Sequence, residues 1–343
     1  MYIFIFHFLV IFILTFTNRK AGTIKNQIGK SDWANFYYQS LTPFELQQML
    51  NNLNEQGYSH SVIKKTYDCL NEFYREKSKL EGFANPMESV VKWEEENVTT
   101  KKKEIEYFDL EDMLKFVDYA GARYKTGKLR FAMGFVLAAN LFMGLRIGEL
   151  LALRWEDVDF EKRTINVCKT LIEAKNPEYN EKASKKMKEQ GIKKIIFKIQ
   201  ETTKTKENRY VPINDNALKL LMLHKENAIY TCPEDFVIST INRKTSTPKN
   251  VSDTIKAIVT GAGISSQKWN THILRHSCAT WLFEQGIDLP TIAEILGNSV
   301  EVLKKTYIHF NDSHMQSVAS ERAVGLPTLD LDMNNYQKEP GSF

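Results

Sequence analysis

The side chains best able to do chemistry in this 343-residue chain lie in four separate stretches. The first is Phe142 to Phe160, FMGLRIGELLALRWEDVDF, where Gly144 allows a tight turn and Arg146 follows at a helix start. A guanidinium there, beside backbone N–H groups that face outward, suits a bidentate grip on a phosphate. Glu149, three residues on, shares the helical face and can hold Arg146 in one rotamer. The second stretch is Thr271 to Gly286, THILRHSCATWLFEQG. His272 and Arg275 are one turn apart, so a permanent cation and a group that exchanges protons near neutral pH reach the same spot. His276 points elsewhere on that helix and reads as structural. The third, Leu296 to Phe310, places Tyr307 on a late helix after a glycine-containing turn; the fourth, Thr202 to Ile213, puts Lys204 in the turn between two candidate strands. Taken singly, each has an ordinary explanation: a surface ion pair, a capping histidine, a packed tyrosine, a solvated lysine.

The elements that must bring these groups together read as mainly helical. Thr42-Pro43-Phe44-Glu45 is a capping box with proline at the first helical position, and Leu46, Met49, Leu50 and Leu53 continue it as an amphipathic helix. Gly57-Tyr58-Ser59 breaks that helix, a second begins near Ser61, and Asn85-Pro86 closes the small bundle. Residues 92 to 104, KWEEENVTTKKKE, have no helical or strand period and read as a linker. Beyond Tyr107, helices are expected from Leu110, over 131–143 (strongly apolar) and over 146–153. Strand character follows between Thr164 and Ile213, in TINVCKTLI, IIFKI and ENRYVPI. The lysine-rich EKASKKMKEQGIKK between the first two reads as a solvated loop, or else as a contact to a nucleic-acid backbone. Helices return over 214–227, 251–259, 272–285, 289–296 and 300–310. Elements do not alternate βα, so the fold expected is mainly α with a small antiparallel β-sheet, an α+β class.

Composition sets wide bounds. With 46 Lys+Arg against 42 Asp+Glu, the net charge of +4 permits a polyanionic partner without demanding one. The cysteines, Cys69, Cys168, Cys232 and Cys278, form no CxxC pair, which speaks against a disulfide scaffold or a cysteine-built zinc site. The first 17 residues, MYIFIFHFLVIFILTFT, are almost continuously apolar but short of the roughly 20 needed to cross a bilayer. They lack the basic start of a secretory signal. A membrane tether is therefore not favoured, and a start site placed too far upstream is another explanation.

In this order, the elements resemble the tyrosine recombinase (phage integrase) family. The resemblance rests on Arg146 in GLRIGEL, Lys204 in the hairpin, His272 and Arg275 in HILRH, LGNS, and Tyr307 in TYIHF. It covers roughly 107–310, and more loosely 41–91. One departure lies at Asn298, where the family usually has histidine, less often tryptophan, donating to the scissile phosphate; asparagine also carries an amide donor, on a shorter side chain. A second departure is a helical bundle that looks shortened.

The resemblance implies a site-specific recombinase of a phage or other mobile element. Tyr307 would be the nucleophile, Arg146, Arg275 and Asn298 would hold the phosphate, and His272 is the candidate base. Lys204 as general acid is implied by the resemblance alone. No cofactor and no metal would be needed. The expected organisation is an apolar segment of uncertain status (1–30), a DNA-clamping domain (31–91), a linker (92–106), a catalytic domain (107–312) and a tail (313–343). The implied partners are double-stranded DNA, further copies of the chain in a tetramer on paired sites, and accessory bending or excisionase proteins, all in the cytoplasm with the nucleoid. A type IB topoisomerase shares the chemistry, and a decayed integrase that only binds DNA is the remaining alternative.

Overall fold

The computed structural model describes residues 27–28, 38–94, 106–180, 183, 187, 189–201, 208–265 and 271–307, with 305–307 described in backbone only. The apolar start, most of the linker, Lys204 and the tail from Ser313 lie outside the described residues. The chain divides into two units, Met1–Glu104 and Ile105–Phe343.

In the first unit, helix α1 (Pro43–Glu55) opens on the capping box read from sequence: Thr42 accepts from the Glu45 N–H, and the Glu45 carboxylate accepts from the Thr42 N–H at 2.7 Å. Helix α2 (His60–Glu81) ends at Gly82, whose φ of 73° supplies the left-handed cap. Leu46, Met49, Leu50 and Leu53 of α1 pack with Ile63, Leu70, Phe73 and Tyr74 of α2 in one apolar cluster. Tyr74 donates to the Tyr38 carbonyl at 2.8 Å, so its buried hydroxyl is satisfied.

The second unit is built round α4 (Gly134–Met143), all ten residues of which are buried. A helix apolar on every side has no solvent face to offer, so other helices must cover it. Those are α3 (Leu110–Ala120), α6 (Asp215–Asn227), α7 (Pro248–Gly261) and α8 (Ile273–Glu284). The apolar run from Phe131 starts its helix only at Gly134, where an added Cβ would lie 2.0 Å from the Ala120 carbonyl oxygen. Gly144, at φ 63°, ends α4 and turns the chain into α5 (Ile147–Ala152). Asn140 clamps this turn, accepting from the Leu145 N–H at 2.8 Å and donating to the Leu145 carbonyl at 3.0 Å.

The strands depart from the expectation. TINVCKTLI is not one strand: it breaks at Cys168-Lys169 into β2 (Thr164–Val167) and β3 (Thr170–Lys175). Those two halves join different sheets. Strand β2 lies between β1 (Val158–Asp159) and β5 (Arg209–Pro212), all antiparallel, while β3 pairs with β4 (Ile195–Gln200). Among the described residues β4 and β5 do not pair with each other, and the stretch between them that holds Lys204 lies outside those residues. Period-2 alternation holds over Thr164–Val167 and lapses over Cys168-Lys169-Thr170, where the chain changes sheets; β-branched content by itself does not show that lapse. Helices α9 (Leu289–Leu296) and α10 (Val300–Tyr307) complete the unit, α9 packing on β5, α8 and α10.

Close approach of β3 to α5 requires Gly148, where a Cβ would meet Thr170 Oγ1 at 2.7 Å and the Leu171 carbonyl oxygen at 2.9 Å. Gly148→Val should therefore destabilise the fold by about 1–3 kcal/mol through overpacking. The urea midpoint checks this, and an unchanged midpoint would mean that the two elements do not touch there.

Candidate active site

The site forms where the turn after α4, the start of α8 and the end of α9 meet. Arg146 is the residue before α5, and its backbone N–H donates to Glu149 at 2.9 Å while its Nη1 reaches the same carboxylate at 2.8 Å. The expected pairing is thus present, but it is no surface pair: Glu149 is 3% exposed. Because Glu149 caps the N–H of Arg146, the start of α5 is not fully open to a ligand. The Arg146 Nη2 donates to the Gly297 carbonyl and, at 2.7 Å, to Asn298 Oδ1.

Arg275 lies in the same place, 7% exposed, with Nη1 on the Gly144 carbonyl at 2.8 Å and Nη2 on the Leu296 carbonyl at 2.6 Å. These are carbonyls of helix ends that have no partner within their own helix, where the negative end of the helix dipole favours a cation. Burial, and then the nearby charge of Arg146, pull the Arg275 pKa down to about 10, which leaves it charged at neutral pH. His272 precedes α8, and burial followed by the charges of Arg275 and Arg146 lowers its pKa. A neutral imidazole beside two guanidiniums can accept a proton, which a protonated one cannot. His276 is pushed down to about 4, by burial first and then by His272 and Arg275, and its ring centroid lies 6.1 Å from that of His272, so it does not point away from the site as expected.

Asn298 sits directly after the left-handed Gly297. A guanidinium has donors only, so the carboxamide turns its oxygen to Arg146 and its NH₂ remains as the second face. Arg209, which no motif in the sequence singles out, also belongs to the site. Its Nη1 and Nη2 grip Glu149 at 3.0 and 2.7 Å, and its Nε donates to the Ile295 carbonyl at 3.0 Å. The available signal was strand alternation, which puts Arg209 on the same face as buried Val211, with exposed Tyr210 between.

Arg146, His272, Arg275 and Asn298 are therefore brought together. Tyr307 is the last residue of α10, which follows Asn298 after a short turn and packs on α9; its side chain is outside the described residues, as is Lys204 altogether. Among the described residues, no cluster of His, Cys, Asp or Glu could hold a metal ion, and no helix is long and apolar enough to cross a membrane.

Residues 103–314 match the model of a family described as the phage integrase family. A tyrosine recombinase XerC-like protein of Caldanaerobacter subterraneus subsp. tengcongensis is 30% identical over 308 residues, covering 84% of this chain and 72% of its own. In fold the chain is similar to the Tn1549 transposon integrase, solved in complex with transposon right-end DNA: TM-score 0.69, 16% identity, 94% of this chain and 100% of that one. A lambda integrase, solved as a tetramer bound to a Holliday junction, gives TM-score 0.56 at 16% identity over 85% of this chain and 72% of that one.

The lowered pKa values set a direction for acid sensitivity. The unfolded chain takes up protons at its histidines near pH 6.5, whereas His276 stays neutral in the fold until about 4, so stability should fall as pH drops through that window. Glu149 adds to the loss below its ordinary 4.5. Burial raises its pKa, but the hydrogen bonds and charges of Arg209 and Arg146 outweigh burial and hold it lower, so its contribution disappears only as pH falls through the folded value. Urea midpoints at pH 7, 5.5 and 4.5 should decrease in that order, and His276→Gln should flatten the upper part of the decline.

Proposed function

The chain belongs to the phage integrase family, and from this we propose that it is a site-specific DNA recombinase that cuts and rejoins DNA through a 3′-phosphotyrosyl intermediate. The observation that carries the proposal is the convergence of Arg146, Arg275 and His272, two guanidiniums and a low-pKa imidazole, on one spot. A phosphodiester resists attack because it is already anionic and its leaving group is a poor alkoxide. Charge that develops on the non-bridging oxygens is stabilised by donors already in place, Arg146, Arg275 and the Asn298 NH₂.

In this reading the Tyr307 phenol attacks phosphorus, its proton passing to His272, and a P–O bond forms as the bond to the 5′ oxygen breaks. A free phenol has a pKa of about 10, so it needs a base or nearby cations to react. Lys204 protonates the departing 5′ oxygen. The covalent link keeps the bond energy, so a 5′-hydroxyl from another strand can reverse the step without a nucleotide cofactor. Residues 31–91 and 107–312 are assigned to DNA clamping and to catalysis, with 92–106 between them. Double-stranded DNA is the substrate, further copies of the chain assemble on paired sites as a tetramer, and DNA-bending or excisionase proteins assist. A mobile genetic element is the proposed setting, and the cytoplasm the proposed compartment.

The test is covalent capture. Nicked duplexes with randomised arms trap a cleaved end, and adduct-forming members can be recovered and sequenced. The wild-type chain should accumulate adduct and Tyr307→Phe should give none while still retaining duplexes on a filter; an adduct from the Phe variant would mean another nucleophile. Asn298→Ala should slow adduct formation by about 10²-fold, the usual cost of one lost transition-state donor. A rate unchanged in that variant would remove Asn298 from the site.

A further inference from the structure

We propose that Arg209 is a positioning residue for this reaction: it engages Glu149 so that the charge of Arg146 stays available to the scissile phosphate. The inference rests on the recombinase reading above. Glu149 is a buried carboxylate with both oxygens occupied twice. Arg209 reaches them at 3.0 and 2.7 Å, and Arg146 reaches them at 2.8 Å from Nη1 and 2.9 Å from its backbone N–H. Without Arg209, the carboxylate would have Arg146 as its nearest remaining cation. A phosphate gaining charge in the transition state would then compete with Glu149 for one guanidinium. With Arg209 present, three guanidiniums stand against one carboxylate, and the surplus falls to the DNA.

The same side chain also fixes the turn behind Arg146. Its Nε holds the Ile295 carbonyl, and its Cδ, Nε and Cζ would lie 3.1 Å from a Cβ at Gly297, the residue whose carbonyl holds Arg146. Three of the five N–H groups of Arg209 are committed to Glu149 and to the Ile295 carbonyl, so the action assigned to it is on Glu149 and, through it, on Arg146. A planar fork gives each carboxylate oxygen its own nitrogen in parallel, a geometry that the single nitrogen of a lysine does not reproduce.

Substrate charge tests the proposal. On the nicked duplex recovered by covalent capture, Arg209→Met should slow adduct formation by about 10²-fold. On the same duplex with a neutral methylphosphonate at the scissile position, less charge needs stabilising, so the deficit should shrink to about threefold. A residue needed only for folding would give equal deficits on both substrates, and that result overturns the proposal. Arg209→Lys, which keeps the charge, carries the same comparison if the Met variant does not fold: a smaller deficit with the same dependence on substrate charge supports the proposal, and equal deficits overturn it. A wild-type chain that forms no adduct with any duplex would remove the recombinase reading and this proposal together. A wild-type adduct with equal variant deficits would remove this proposal alone.

Discussion

Three successive carbonyls at the end of α9 each accept a hydrogen bond from a different arginine: Ile295 from Arg209, Leu296 from Arg275 and Gly297 from Arg146. A helix terminus leaves its last carbonyls without intrahelical partners, and here those groups become the anchor of a cationic cluster. The arginines come from β5, α8 and the start of α5, so one short stretch of backbone fixes the relative positions of segments far apart in sequence. Guanidiniums so close together repel one another. They are tolerated because carbonyl dipoles and the Glu149 carboxylate surround them, and that arrangement persists only while α9 ends where it does.

Gly297 decides where it ends. Its φ of 63° is left-handed, which costs a residue with a Cβ roughly 1–2 kcal/mol. The N–H of Asn298 then bonds back to the Ala293 carbonyl at 2.9 Å, so the cap also sets the direction of the Asn298 side chain toward Arg146. Gly144 does the matching task at the end of α4. A Cβ there would meet a Leu296 methyl at 2.4 Å, so the two helix ends that supply the carbonyls for Arg275 pack directly against each other. Cys278, packed at the same place, has its thiol pushed up to about 12 by burial, with Arg275 opposing, and is inert packing rather than chemistry.

Much of this was legible in the sequence. Periodicity located α5, α6 and α9 to within a residue and the start of α3 at Leu110, and the Thr42–Glu45 capping box located the start of α1; the structure adds capping side chains beyond that box, Asp109 before α3, Asn214 before α6 and Asp288 before α9. The Arg146–Glu149 pair followed from helical spacing, and the grouping of Arg146, His272 and Arg275 followed from their resemblance to a known order of motifs. Strand pairing was not legible. TINVCKTLI alternates only as far as Val167, and its period lapses over Cys168-Lys169-Thr170 where the chain leaves one sheet for another; reading the run by its β-branched content passes over that lapse.

The sequence by itself determined what is local: element types, the caps, the glycines that permit left-handed turns, and which side chains can carry charge or exchange protons. Tertiary structure alone decided how charges are shared. Whether Glu149 is a weak solvated partner or a buried carboxylate held by two guanidiniums depends on whether another cation arrives across the sheet. Arg209 arrives from a strand sixty residues away, because β5 pairs with β2 and packs against α9. Electrostatic strength depends on burial and distance, and both are properties of the packed chain.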